Sequence, residues 1–251
     1  MSRDLARYLR QEAPNTPFCP GCGHGILLGA ILRSIEGLGL DMGEMLFVSG
    51  IGCAAWIPSP NFQADTLHTL HGRAVPFAVG AKLARPEMKV MVISGDGDLA
   101  SIGGNHLIHA ARRDLDITVV CANNMIYGMT GGQVAPTTPQ GRPTATTGQG
   151  NPYRPFDLCR LVRAAGAGYV ARGSVTRPYQ LMEYLSRALE HPGFSFVEVL
   201  SPCPTQYGRR NRLDSPAAML EHLESTCRDR VPLDPKSEPE SDLLVLGEWK
   251  L

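Results

Sequence analysis

Apolar positions along the chain fall into short unbroken runs separated by longer segments with a helical period. The runs are Met45 to Ser49 (MLFVS), Lys89 to Ser94 (KVMVIS), Ile117 to Ala122 (ITVVCA) and Phe194 to Leu200 (FSFVEVL). Their near-continuous Val and Ile content predicts buried strands of a parallel sheet covered on both faces. Helical patterns span Gly25 to Gly37, Pro76 to Leu83, Leu99 to Arg112, Phe156 to Ala165 and Arg177 to Glu190. Strand and helix alternation of this kind builds βαβ units. The expected fold class is therefore α/β, a doubly wound, mostly parallel sheet with helices on both faces. Ligands of such sheets sit beyond the carboxyl ends of the strands.

Two regions depart from the alternation. Met129 to Pro155 is rich in Gly, Thr, Pro and Gln and has no apolar period. Loops of that length in a compact domain are usually functional or mobile. After Arg230 the chain reads as a solvated linker that ends in an apolar stretch, Leu243 to Leu251. That stretch either docks, for example on a partner subunit, or frays. The resulting division is an N-terminal extension (1–16), one ligand-binding domain (17–213) and a C-terminal helix and tail (214–251).

Composition narrows the function. With 251 residues and 43% apolar content, one sizeable core is expected. Lys plus Arg and Asp plus Glu both number 24. No basic excess points to nucleic acid. No stretch approaches the roughly 20 apolar residues of a bilayer span, and residues 1–10 lack a signal-peptide core. These features point to a cytoplasmic protein with no membrane partner. Seven cysteines, two of them in a C-x-x-C pair, then favour metal or redox chemistry over disulfides.

Gly95-Asp96-Gly97 follows the second predicted strand, and Asn123-Asn124 follows the third. In a parallel sheet both lie at carboxyl ends. Glycines let backbone approach a ligand, and the helix start near Asp98 offers free N–H groups to a diphosphate. Asp96 brings a hard carboxylate oxygen and Asn124 an amide oxygen. Mg²⁺ favours a few such ligands together with substrate phosphates. G-D-G followed at this spacing by N-N resembles the thiamine diphosphate signature. The resemblance implies Mg²⁺ on Asp96, Asn124 and the carbonyl of Ile126, with Gly97, Asp98, Gly128 and Met129 on the diphosphate.

Cys19 and Cys22 lie in C-P-G-C-G-H before a helix, Cys53 follows the first strand in G-I-G-C, and Cys203 follows the last. Four thiolates at one sheet edge suit a [4Fe–4S] cluster or a structural zinc. Cys121, Cys159 and Cys227 read as structural, the last in a polar helical segment. C-P-G-C-G-H, G-I-G-C, H-G-R-A and G-D-G-D, in this order over about Pro17 to Thr205, resemble the β subunits of 2-oxoacid:ferredoxin oxidoreductases.

That resemblance implies cluster ligation by Cys19, Cys22, Cys53 and Cys203. It places His71 near the diphosphate and Ile51, Gly52, Cys53 and Ala54 at the thiamine; His24 and Arg73 read equally as caps. No side chain is assigned as catalytic beyond the cofactor. The implied reaction is oxidative decarboxylation of a 2-oxoacid, with electrons passing through the cluster to ferredoxin and the acyl group to coenzyme A. An α subunit would supply the missing pyrimidine-binding domain, giving a heterodimer inactive as separate chains. Many relatives carry Lys, a residue linked to substrate choice, where this chain has Gly131; it is overall likeness, not this position, that points to 2-oxoglutarate over pyruvate or a branched-chain 2-oxoacid. Two other functions fit parts of the pattern. A non-oxidative thiamine diphosphate decarboxylase half-subunit would leave the cysteines without a role. A zinc-stabilised, non-catalytic binding subunit is the other, and metal analysis giving one zinc and no iron would support it.

Overall fold

The computed structural model describes residues 5–13, 15–213, 215–229 and 244–250. Among the described residues there are six α-helices: α1 (His24–Leu38), α2 (Ala74–Ala84), α3 (Gly104–Arg112), α4 (Leu158–Ala164), α5 (Pro178–Glu190) and α6 (Pro216–Thr226). An eight-stranded sheet runs through the centre. In chain order its strands are β1 (Met45–Ser49), β2 (Asp65–His68), β3 (Lys89–Gly95), β4 (Thr118–Asn123), β7 (Tyr169–Ser174), β8 (Ser195–Leu200), β9 (Cys227–Asp229) and β10 (Leu244–Lys250). Across the sheet the order is β2-β1-β3-β4-β8-β7-β10-β9, parallel throughout except where β10 meets β7. A separate hairpin, β5 (Ile126–Tyr127) with β6 (Gln133–Val134), stands over the carboxyl edge.

Alternation along each strand divides the core into two layers. Met91, Ile93, Val120, Ala122, Val197 and Val199 face α1 and α5. Val90, Val92, Val119, Cys121 and Phe196 face α2, α3 and α4. Both faces are covered, so the central strands carry apolar residues at most positions on both faces, as the runs in the sequence predicted.

Local chemistry explains the helix limits. The α1 helix stops at Gly39, whose φ of 65° is left-handed. Asp157 caps α4 by accepting from the Arg160 N–H at 3.1 Å, so the helix starts at Leu158, not Phe156. The helix expected from Leu99 is interrupted: Asp98–Ile102 forms a π-helical turn, and α3 proper begins at Gly104.

Four strands carried too weak a signal. The short edge strand β2 (DTLH) is half-exposed, and β7 contains a buried Arg172 that breaks its apolar run. The strands β9 and β10 are the others. Cys227, expected in a helix, opens β9 just past the end of α6. The apolar tail docks on the chain's own sheet: β10 pairs antiparallel with β7, and Trp249 packs into the α2–α4 layer. Leu243 and Leu251 lie outside the described residues.

Candidate functional site

Five neighbouring strands each deliver one motif to the same rim. Across the sheet, β2 leads to Leu70-His71-Gly72, β1 to Ile51-Gly52-Cys53, β3 to Asp96-Gly97-Asp98, β4 to Asn124 and β8 to Cys203. Strand order reverses between β1 and β3, the place where open α/β sheets bind ligands.

The register sets Gly95 opposite Ala122, so Asp96 and Asn124 come off adjacent strands. Asp96 is 2% exposed. Burial pushes its carboxyl up to about 7, against the lowering effect of the Thr137 hydroxyl and the N–H groups of Asp96, Gly97 and Asn124. Asn124 Oδ1 accepts from the Ile126 N–H at 3.2 Å. A buried carboxylate without a cationic side chain, beside an amide oxygen, fits a hard divalent cation. Thr137 belongs to the long loop. Nearby Thr138 ties that loop to the Met125 carbonyl at 2.6 Å, and Asn151 braces it through the Thr138 carbonyl at 2.7 Å. The segment is thus a stitched cover over the rim.

Asp98 turns inward. Its Oδ1 accepts from the Gly72 N–H at 2.6 Å, the Ile51 N–H at 3.4 Å and, in a close contact, His71 Nδ1; its Oδ2 accepts from the Ser94 hydroxyl. One buried carboxylate therefore pins the loops after β1 and β2 to the turn after β3. Its side chain is spent on the protein, so only its backbone is available to a ligand. With Nδ1 held by Asp98, the His71 ring has Nε2 left for a ligand. Gly97 is required sterically, because a methyl group there would lie 2.4 Å from the Tyr127 ring, whose hydroxyl donates to the Gly97 carbonyl at 2.9 Å. Gly52, with φ of 132°, adopts a conformation reserved for glycine.

All four expected cysteine ligands come together. The Cys22 thiol is pushed up to about 12 by burial, eased by the His24 N–H and reinforced by Cys203, Cys53 and Cys19. Cys53 is pushed to about 11 by burial, then by Cys203 and Cys19. Gly21, at the tip of the C-x-x-C turn, packs on Pro204 and Pro216, which seats that turn over the end of β8. A methyl group on Gly128 would lie 3.4 Å from Cys203 Sγ and 3.7 Å from both Cys53 Sγ and Asn124 Nδ2. Among the described residues, no three of the four sulfurs lie within 4.8 Å of one another. Thiolates on one tetrahedral zinc sit only ~3.8 Å apart. This donor set, four clustered thiols spaced more widely than a zinc site needs, fits a polynuclear centre.

Comparison with known proteins agrees with this geometry. The family description "Thiamine pyrophosphate enzyme, C-terminal TPP binding domain" matches residues 50–199. The 2-oxoglutarate synthase subunit KorB of Methanothermobacter marburgensis is 47% identical over 97% of this chain and 85% of that protein. The chain belongs to the β subunits of the 2-oxoacid:ferredoxin oxidoreductases. A solved 2-oxoglutarate:ferredoxin oxidoreductase from Magnetococcus marinus, with 2-oxoglutarate, coenzyme A and succinyl-CoA bound, superposes with a TM-score of 0.87 at 32% identity, covering 98% of this chain and 84% of that one. The 2-oxoacid:ferredoxin oxidoreductase subunit beta of Saccharolobus solfataricus is 42% identical over 75% of this chain and 62% of its own length.

Several residues that organise this oxidoreductase subunit carried no sequence signal. Ser94, Thr137 and Thr138 sit in an apolar run or a low-complexity loop, and only their hydrogen bonds reveal them. The first Asn of the Asn-Asn pair differs from the second. Asn123 points back into the protein, toward Glu198 of β8.

Proposed function

We propose that this subunit holds thiamine diphosphate, Mg²⁺ and one [4Fe–4S] cluster at the rim. With an α subunit it converts 2-oxoglutarate and coenzyme A to succinyl-CoA and carbon dioxide, reducing ferredoxin. The observation that carries the reading is Gly128, where an added methyl group would meet two of the four clustered cysteines and the amide of Asn124 at once. A residue of the expected diphosphate loop thereby joins the expected cation site to the expected cluster. The names of the relatives and the ligands of the Magnetococcus enzyme support the choice of 2-oxoglutarate and coenzyme A.

Bound here, thiamine diphosphate would supply a ring that stabilises negative charge on the former carbonyl carbon, and the cluster would supply one-electron redox capacity. The chain's own work is placement. Asp96, Asn124 and the Ile126 carbonyl would hold Mg²⁺. The N–H groups that open the Asp98–Ile102 turn lack intrahelical partners and suit a diphosphate. His71 Nε2 and the backbone of Gly128 and Met129 complete that cradle. The Asp98 carboxylate holds the start of the Ile51–Ala54 loop, which would bring Cys53 to both the cofactor and the cluster. Cys19, Cys22, Cys53 and Cys203 would ligate the iron.

Large apolar side chains on these loops, Ile51, Trp56, Leu70, Ile102 and Met129, are exposed. Such a patch around a functional rim marks a protein interface and suits the α subunit. Among the described residues no helix is long and apolar enough to cross a membrane.

The deciding experiment is anaerobic co-expression with the α subunit and a 2-oxoacid panel, read as coenzyme-A-dependent reduction of a low-potential acceptor. Activity with 2-oxoglutarate and brown absorbance bleached by dithionite are expected. Zinc without iron, or decarboxylation that needs neither coenzyme A nor an electron acceptor, overturns the reading.

A further inference from the structure

Among the described residues, the one group of three metal-type ligands within 4.8 Å of one another is Asp157, Cys159 and Glu198. It already has its cation. Arg172, 4% exposed, donates Nε to Glu198 Oε2 and Nη2 to Asp157 Oδ1, both at 2.6 Å. Its Nη1 reaches the Val245 carbonyl of β10 at 3.3 Å. Cys159 donates to the same Glu198 oxygen at 3.3 Å.

The other oxygen, Glu198 Oε1, accepts from Asn123 Nδ2 at 2.7 Å. Asn123 Oδ1 in turn accepts the Met125 N–H at 3.0 Å. Met125 is held at φ 63°, a left-handed conformation uncommon outside glycine. That bend lies directly after Asn124, whose backbone N–H meets the Asp96 carboxylate and whose side-chain oxygen accepts from the Ile126 N–H. The chain of contacts therefore runs from β10 through Arg172, Glu198 and Asn123 to the turn at the rim.

We propose that Glu198, clamped by Arg172, is a positioning residue that sets the affinity of the rim for the Mg²⁺ complex of thiamine diphosphate by fixing the amide orientation of Asn123. This rests on the function proposed above. The reason is hydrogen-bond polarity. Arg172 has only donors and so takes an oxygen. A carboxylate can accept on both sides, from Arg172 and from Asn123, whereas an amide offers one acceptor. In Glu198→Gln the oxygen must face Arg172, leaving an NH₂ against the NH₂ of Asn123. Asn123 then has to flip and present its own NH₂ to the Met125 N–H, which breaks the turn.

The pattern can be restored from the other end. In Glu198→Gln with Asn123→Asp, the Gln amide donates to the new carboxylate, which also accepts from Met125. Asn123→Asp alone sets two carboxylates face to face. The test is titration of the anaerobic αβ holoenzyme, stripped of cofactor, with thiamine diphosphate and Mg²⁺, followed by calorimetry. Cluster absorbance and the unfolding midpoint are recorded alongside. Each single variant is expected to weaken binding about 10–100-fold, the usual loss for outer-shell partners of a metal site. The double variant should return to within about threefold of the natural protein. Cys159→Ala, which touches Glu198 but leaves Asn123 alone, should lower the midpoint without changing affinity. Unchanged binding in Glu198→Gln, no recovery in the double variant, or an equal loss in Cys159→Ala overturns the relay. If the natural protein binds no Mg²⁺–thiamine diphosphate at all, the proposed function fails with it.

Discussion

Asp98 offers the sharpest test of how the rim is built. Its side chain is buried and accepts from the Ile51 and Gly72 N–H groups, His71 and Ser94. Asp98→Asn keeps the shape. The amide oxygen can serve the three donors at Oδ1, and the NH₂ can donate to the Ser94 hydroxyl once that rotates. What is lost is charge. Hydrogen bonds to a charged group contribute ~1.5–3 kcal/mol against ~0.5–1.5 for neutral ones, a difference of about 1 kcal/mol each. The Ile51 bond is long at 3.4 Å, so three short bonds, from Gly72, His71 and Ser94, and a fraction of a fourth are weakened. The expected cost is about 3–4 kcal/mol. At ~2–4 °C per kcal/mol for a chain of this size, the midpoint should fall by about 6–16 °C. The assay is thermal unfolding followed by far-ultraviolet circular dichroism, with thiamine diphosphate titration in parallel. Asp116→Asn serves as control. Its ion pair with Lys82 is half in solvent, and such pairs contribute ~0–1 kcal/mol. If Asp98→Asn melts no earlier than Asp116→Asn and binds cofactor as well as the natural protein, Asp98 is not the pin described here.

Other expectations follow from single contacts. Replacing Cys203 or Cys22 by Ala should abolish iron content and dithionite-bleachable absorbance while the circular dichroism spectrum keeps its α/β form; retained iron in both would remove these sulfurs from the ligand set. Gly72→Ala puts a methyl group 2.3 Å from Ile102 Cγ2 at a residue with φ of 68°, so a loss of at least ~2 kcal/mol is expected in denaturant unfolding. Removing residues 244–251 strips β10 from β7 and the Arg172–Val245 contact. Amide exchange along β7 should accelerate at least ~10-fold, and unchanged protection would mean β10 is not docked in solution. Stripping divalent cations with a chelator should release thiamine diphosphate from the holoenzyme, read by equilibrium dialysis, and Mg²⁺ should restore binding.

Much of this site was legible in the chain because it depends on local chemistry. Short runs rich in Val and Ile between turn residues read as strands buried on both faces. Gly-Asp-Gly and Asn-Asn at strand ends, and thiols beside Gly and Pro, mark candidate ligand positions wherever the strands happen to stand. The strand order was not legible. Nothing local tells β1 to lie between β2 and β3, or β8 beside β4, and that order is what gathers five motifs on one rim. The strand β7 was hidden by Arg172, a residue tolerated in the core only because Glu198 and Asp157 meet it there. The C-terminal strand was hidden because its partner lies some 75 positions earlier in the chain. Two neighbouring asparagines of identical chemistry point opposite ways, one to the rim and one to Glu198. That choice, like the inward turn of Asp98, is made by donors and acceptors that only the packed sheet brings within reach.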